Sequence, residues 1–214
     1  MHHNEMQMRT LLLLLPAALL FGQATTHKVA ATTTAKATNF KETGSPTAPI
    51  TLELFTDYQC PSCRMFYQDV LPQVISQYVA PGKVRLIHRD FPLPQHQYSR
   101  TATKYANAAG QVGMYDLVAG QIFKTQGDWE QNGNVDGEVA KVVPPGSMQK
   151  IREIVKNDAH LDDSVTSDIA IANRDGLNQT PTLVIVRNGK RTKIDGAVPF
   201  TILKSYLDQL LAKG

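Results

Sequence analysis

The chain has 214 residues, 42% of them hydrophobic and 19% charged, with 22 Lys and Arg against 19 Asp and Glu for a net charge of +3. A balance so close to neutral, with basic residues scattered along the chain, gives no case for a nucleic-acid partner. Only two cysteines are present, which leaves a zinc site short of sulfur ligands.

In chain order, the first element is Leu11 to Phe21, "LLLLLPAALLF", an apolar run too short to span a bilayer. It follows Arg9 and precedes Gly22-Gln23-Ala24, small residues at the positions a signal peptidase reads, so residues 1–24 are expected to be a secretory signal cleaved after Ala24. Met6 and Met8 are alternative starts. Cleavage would remove Glu5 and Arg9 together and leave the balance at +3. Residues 25–49, rich in Thr and Ala with few large apolar side chains, read as a flexible leader. Residues 50–214 then supply enough chain for one domain with a real core, expected to be soluble and periplasmic or secreted.

Ile50 to Thr56, "ITLELFT", has the β-branched and aromatic make-up of a central strand. A helix is expected from the cysteines to about Val79, with Pro72 kinking it. "KVRLIHRDF" at 83–91 is a second strand after the Pro81-Gly82 turn. From about 95 to 178 the pattern changes to Ala-rich helical segments broken by "GDWEQNGN" and "PPGS". "TPTLVIVRNGKRTKIDG" gives two strands about an Asn188-Gly189 turn, whose cluster of basic residues reads as a solvated hairpin. A last helix runs from about Phe200 to Ala212. The order is βαβ, a helical block, then ββα: an α/β fold.

Both cysteines lie in "TDYQCPSC", two residues apart. His88 and His96 show no regular metal-ligand spacing with them, so no metal is expected. A disulfide closing so short a loop removes little entropy from the unfolded chain and makes a poor staple. Redox chemistry suits the position better, because the pair sits where a buried strand ends and a helix begins, with Pro61 fitted to the first turn. At that helix N-terminus the unpaired N–H groups favour a thiolate on Cys60, the nucleophile. Cys63, one turn deeper on the same face, is the resolving thiol. Thr180-Pro181 opens the third strand, where a residue that cannot donate to a sheet is tolerated.

Taken with "RLIHRDFPLPQH", "QIFKTQGDWEQ", "LNQTPTLVIVRNGK" and "IDGAVPFTILKSYLDQLL", the cysteine motif resembles the DsbA-like thiol–disulfide oxidoreductases of the thioredoxin superfamily, over nearly everything after Pro49. The resemblance implies a thioredoxin fold with an inserted helical subdomain, a cis Pro181 facing the cysteines, and substrate binding at Thr180 and Pro181. It further implies thiol- or disulfide-containing protein substrates, a membrane redox partner, a monomer, and no cofactor beyond the Cys60–Cys63 disulfide itself.

Two positions depart from the family pattern. The buried acid common six residues before the first cysteine is replaced by Leu54; neighbouring Glu53 should point to the other face and reads as an edge or solvent-facing acid, while Asp57 is nearer the pair. Between the cysteines, Pro61-Ser62 replaces Pro-His, so Ser62 brings a donor without positive charge and the oxidant should be milder. Arg64, His88, Arg89 and His96 are weaker candidates for positive potential near Cys60, and Trp129 and Phe66 are expected in the core. A disulfide-forming oxidase is the first reading. A reductase or isomerase using the same site, and a redox-inert binding or chaperone module with a structural disulfide, are the alternatives.

Overall fold

A computed structural model describes residues 39–213. The expected signal segment, its cleavage point and the start of the leader lie outside the described residues. Five strands form one sheet: β1 (Glu42–Thr43), β2 (Ile50–Thr56), β3 (Val84–Asp90), β4 (Thr182–Arg187) and β5 (Lys190–Asp195), in the order β1-β3-β2-β4-β5. β2 and β3 are parallel, joined by a crossover helix, and the other pairs are antiparallel. This is the βαβ and ββα frame expected, with the Asn188 and Gly189 turn at φ 48° and 76° joining β4 to β5.

The crossover helix begins at α1 (Pro61–Met65), passes through a π-helical stretch (Phe66–Val70) into α2 (Leu71–Val74), and ends in a second π-helical stretch (Ile75–Val79). Pro72 explains the first widening: it lacks an N–H for the carbonyl four residues back, and the turn before it relaxes to a wider pitch. The helical block follows as α3 (Ser99–Gln111), α4 (Tyr115–Lys124), α5 (Gln126–Trp129), α6 (Val135–Ala140), α7 (Pro145–Asn157) and α8 (Asp163–Arg174); α9 (Phe200–Ala212) closes the chain. Among the described residues no helix is long and apolar enough to cross a membrane.

Strand alternation sorts the core into layers. Ile50, Leu52 and Leu54 turn to one face, where they pack with Phe66, Leu71 and Val74 of the crossover helix and Leu203 and Leu207 of α9. Phe55 and Val184 turn to the other face, against Phe91, Ala172 and Leu177. A third cluster fills the helical block around Trp129, Phe123, Ile122 and Ile151, and it includes Cys60 and Cys63. The cysteines therefore stand where the sheet unit meets the inserted helices. Trp129 and Phe66 are core residues, as expected.

The C-terminal end of the expected leader belongs to the fold. Glu42 and Thr43 pair with Ile87 and Leu86 of β3, and the Phe40 ring lies so close to Gly110 that a Cβ there would come within 2.3 Å of it. Lys41 carries its ammonium into the interior, where it pairs with Asp90 and, at 2.9 Å, with Asp168, and donates to Ser164 at 3.3 Å. Composition alone missed this segment because what anchors it is one aromatic ring, one ammonium and a two-residue strand rather than an apolar run.

Candidate active site

Cys60 caps α1 in an extended conformation, φ −79° and ψ 119°, and Pro61 takes the first helical position, where its missing N–H costs nothing. A turn held by the Cys60 N–H to the Asp57 carbonyl at 3.1 Å brings the chain from β2 into this cap. Two glutamines, one within the turn and one on α5, tie it to the inserted helices. Gln126 of α5, itself buried, donates from Nε2 to the carbonyls of Tyr58 (2.7 Å) and Cys60 (3.1 Å). Gln59 donates to the Glu130 carbonyl at 3.1 Å and accepts from the Tyr98 N–H at 2.6 Å. The inserted helices thus hold the strand-to-helix turn in shape. Neither glutamine was singled out from the sequence, although Gln126 lies inside the "QIFKTQGDWEQ" stretch that carries the resemblance.

Both cysteines are free thiols. Their surroundings push them in opposite directions. The Cys60 thiol is brought down to about 6, first because the Cys63 side chain hydrogen-bonds to it, then, against the cost of its own burial, through the backbone N–H groups of Cys63 and Ser62 at the helix start. Burial, followed by the hydrogen bond to Cys60 and the charge there, raises the Cys63 thiol well above its ordinary value. Cys63 is fully buried and Cys60 is 7% exposed. Cys60 is thus set toward the thiolate at neutral pH, and the more deeply buried Cys63 is held as the thiol.

The Thr180–Pro181 peptide bond is cis, and it sets the Thr180 carbonyl 3.3 Å from Cys60 Sγ. Thr180 Oγ1 is buried without a hydrogen-bond partner among the described residues, and the Thr180 N–H makes no backbone hydrogen bond there. Cys60, Ser62, Thr180 and Pro181 are therefore brought together at one end of the sheet.

The charged candidates fare differently. Glu53 does face away from Leu54, but it is neither at an edge nor in solvent: it is 5% exposed, pairs with Arg89 at 2.7 Å and with Arg191 at 2.5 Å, and sits on the sheet face opposite the cysteine helix. The expectation of a solvent-facing acid is corrected, because two guanidiniums cover it. Arg89 also pairs with Asp168 at 3.0 Å, so its charge is spent in that network. His88 is buried, and that burial, followed by the Lys41 charge, pushes its pKa down to about 4, so it stays neutral at physiological pH. Asp57 is fully buried; its N–H points to Cys63 Sγ at 3.5 Å, while its carboxylate accepts from the N–H groups of Gln59 and Leu93 and bonds His96 Nδ1, each at 2.7 Å. Among the described residues no three His, Cys, Asp or Glu side chains come together as a metal-binding group.

Comparison with known proteins bears on the fold. The family model described as "Thioredoxin" matches residues 36–209. The Bacillus subtilis (strain 168) protein named "Disulfide bond formation protein D" is 22% identical over 147 residues, 66% of this chain and 65% of its own length, so the chain spans just under two thirds of that relative. Among solved structures, Wolbachia pipientis alpha-DsbA1 superposes with a TM-score of 0.69 at 22% identity, covering 81% of this chain and 91% of that one. Oxidised BdbD from Bacillus subtilis gives 0.64 at 23% identity, covering 81% and 93%. These likenesses show a DsbA-like thioredoxin fold with inserted helices.

Proposed function

The chain belongs to the thioredoxin family, and we propose that within it this protein is a thiol–disulfide oxidoreductase that acts outside the cytoplasm on cysteine-bearing polypeptides, through Cys60 and Cys63, in the net direction of disulfide formation. The observation that carries the proposal is the opposite tuning of two chemically identical side chains, Cys60 down to about 6 and Cys63 far up. A structural disulfide has no need of such a difference. An exchange catalyst does, because its outer sulfur must be a good leaving group and its inner sulfur must resolve the intermediate.

In the oxidised protein a substrate thiolate attacks Cys60 Sγ, the Cys60–Cys63 bond breaks, and Cys63 leaves and takes up a proton. A second substrate thiolate then attacks the substrate sulfur of the mixed disulfide, and Cys60 leaves as the stabilised thiolate. The substrate has lost two electrons and two protons and gained one disulfide; the protein holds the electrons as its dithiol. The Thr180 N–H and carbonyl stand where an extended peptide would align its cysteine with Cys60. A membrane redox partner would reoxidise the pair, and the 11-residue apolar run Leu11 to Phe21 supports export. With Ser62 in place of a charged histidine the potential is expected between about −150 and −230 mV, bracketed by strong oxidants and thioredoxin.

The test replaces one sulfur at a time. Cys63→Ala, with Cys60 activated by a small disulfide, should accumulate a long-lived mixed disulfide with a reduced substrate protein, and Cys60→Ala should trap far less. Equal trapping by both, or by neither, contradicts the assignment. N-terminal sequencing of exported protein should start at Thr25; a mature chain that keeps Leu11 to Phe21 contradicts the proposed export.

A further inference from the structure

The basic side chains of the β4–β5 hairpin divide by face. On one face, Arg191 and Lys193 stand opposite Val186 and Val184 and are matched by acids: Arg191 by Glu53 and Asp175, each at 2.5 Å, and Lys193 by Asp195 at 3.1 Å. On the other face, where Leu183, Ile185 and Ile194 pack with Leu203 and Leu207 of α9, the register sets Arg187 directly opposite Lys190. Like charges placed so repel each other and weaken the sheet. Among the described residues, the ion pairs of the hairpin and α9 take in Arg191, Lys193 and Lys204 but not Arg187, Lys190 or Lys213. These three cations line one cavity of about 300 Å³, and no acid lines it. Arg187 Nη1 is buried with no acceptor among the described residues, so the guanidinium is fixed by its surroundings rather than by a counter-ion.

The end of α9 offers a competing account, since cations commonly sit against the carbonyls of a helix C-terminus. A helix end carries only about half a unit of charge, which three cations far exceed. We infer that the cavity is a binding site for a phosphate group borne on a small organic body, with Arg187 as its anchor. A phosphate ester brings up to two negative charges and three acceptor oxygens, where a carboxylate brings one charge and two oxygens. The planar fork of Arg187 suits such oxygens, the ammoniums of Lys190 and Lys213 add charge, and the hydroxyls of Thr192 and Tyr206 add donors. Ile185 and Leu210, which also line the cavity, give the carbon body an apolar surface to rest on. A soluble glycerophosphate and the headgroup of an anionic phospholipid present this same chemistry. The site lies at the far end of β4 (Thr182–Arg187) from Thr180, on the order of 20 Å from Cys60 at about 3.3 Å per residue, so it stands apart from the exchange chemistry and does not rest on it.

The test titrates isotope-labelled protein with glycerophosphate at low salt and follows the backbone amide NMR shifts. Saturable shifts confined to the β4–β5 hairpin and the end of α9 are expected. Arg187→Gln should weaken binding about tenfold or more, and Lys190→Gln or Lys213→Gln a few-fold each. Lys150→Gln, an exposed cation on α7 away from the cavity, should leave the affinity unchanged. An unaltered rate of Cys60 alkylation shows that each variant is folded. Sedimentation with phosphatidylglycerol vesicles, against phosphatidylcholine vesicles, separates the two sources: capture that Arg187→Gln abolishes assigns a lipid headgroup, and any other result assigns a soluble ester. Shifts that fail to saturate or spread evenly over the basic surface, or an affinity that Arg187→Gln leaves intact, overturn the site. Acetate that binds as tightly as glycerophosphate overturns the choice of phosphate.

Discussion

Replacing Cys63 by Ala should raise the pKa of Cys60, because the Cys63 side chain is the largest single cause holding it near 6. At pH 7 a thiol at about 6 is roughly nine-tenths thiolate. Losing the strongest donor should move it up by at least about one unit, to half thiolate or less, with the helix N–H groups left to hold it there. The linkage has a definite sign. The Cys60 pKa in the folded protein lies below that of a free thiol, so thiolate formation stabilises the reduced fold fully above the free-thiol pKa, and the effect is lost as pH falls through about 6. At pH 7 it favours the reduced state by about 1.4 kcal/mol at most, a figure that solvent contact at the sulfur reduces. For a two-electron couple that is about 30 mV toward the oxidising side. Thiolate absorbance in the ultraviolet and the iodoacetamide alkylation rate, both followed against pH, measure the midpoint in wild type and variant. A variant midpoint at or below the wild-type value would refute the reasoning, since the helix start alone would then account for the thiolate.

Three further outcomes follow from the packing around the site. Lys41→Met should cost about 3–5 kcal/mol in urea unfolding, because Asp90 and Asp168, with side chains only 3% and 4% exposed, lose a buried cation; a loss under about 1 kcal/mol would show that the network does not anchor the N-terminal segment. Gln126→Leu removes both bonds to the Tyr58 and Cys60 carbonyls and should lower stability by about 1–3 kcal/mol and slow exchange at Cys60; unchanged exchange would mean the turn holds its shape without α5. Glu53→Gln should weaken the fold through Arg89 and Arg191 yet leave the Cys60 titration within about 0.3 unit of wild type, and a shift of a full unit would place Glu53 in the chemistry after all.

Much of this protein could be read along the chain because the decisive signals are local. Apolar alternation in "ITLELFT", the Asn188-Gly189 turn, and two cysteines at the start of a helix are set by neighbours a few residues apart, and they suffice for the βαβ and ββα frame and for placing Cys60 at the helix cap with Cys63 one turn deeper. What only the tertiary structure decided involves partners far apart in sequence. Lys41 meets Asp168 across 127 residues and Glu53 meets Arg191 across 138, so neither the buried ammonium nor the covered acid has any local signature. The same holds for Gln126 beneath the Cys60 carbonyl, for His96 on Asp57, and for the cavity between the β4–β5 hairpin and the end of α9. A charged side chain reads as solvated until its counter-ion is known, because burial without a partner is too costly, and the partner is supplied by the fold.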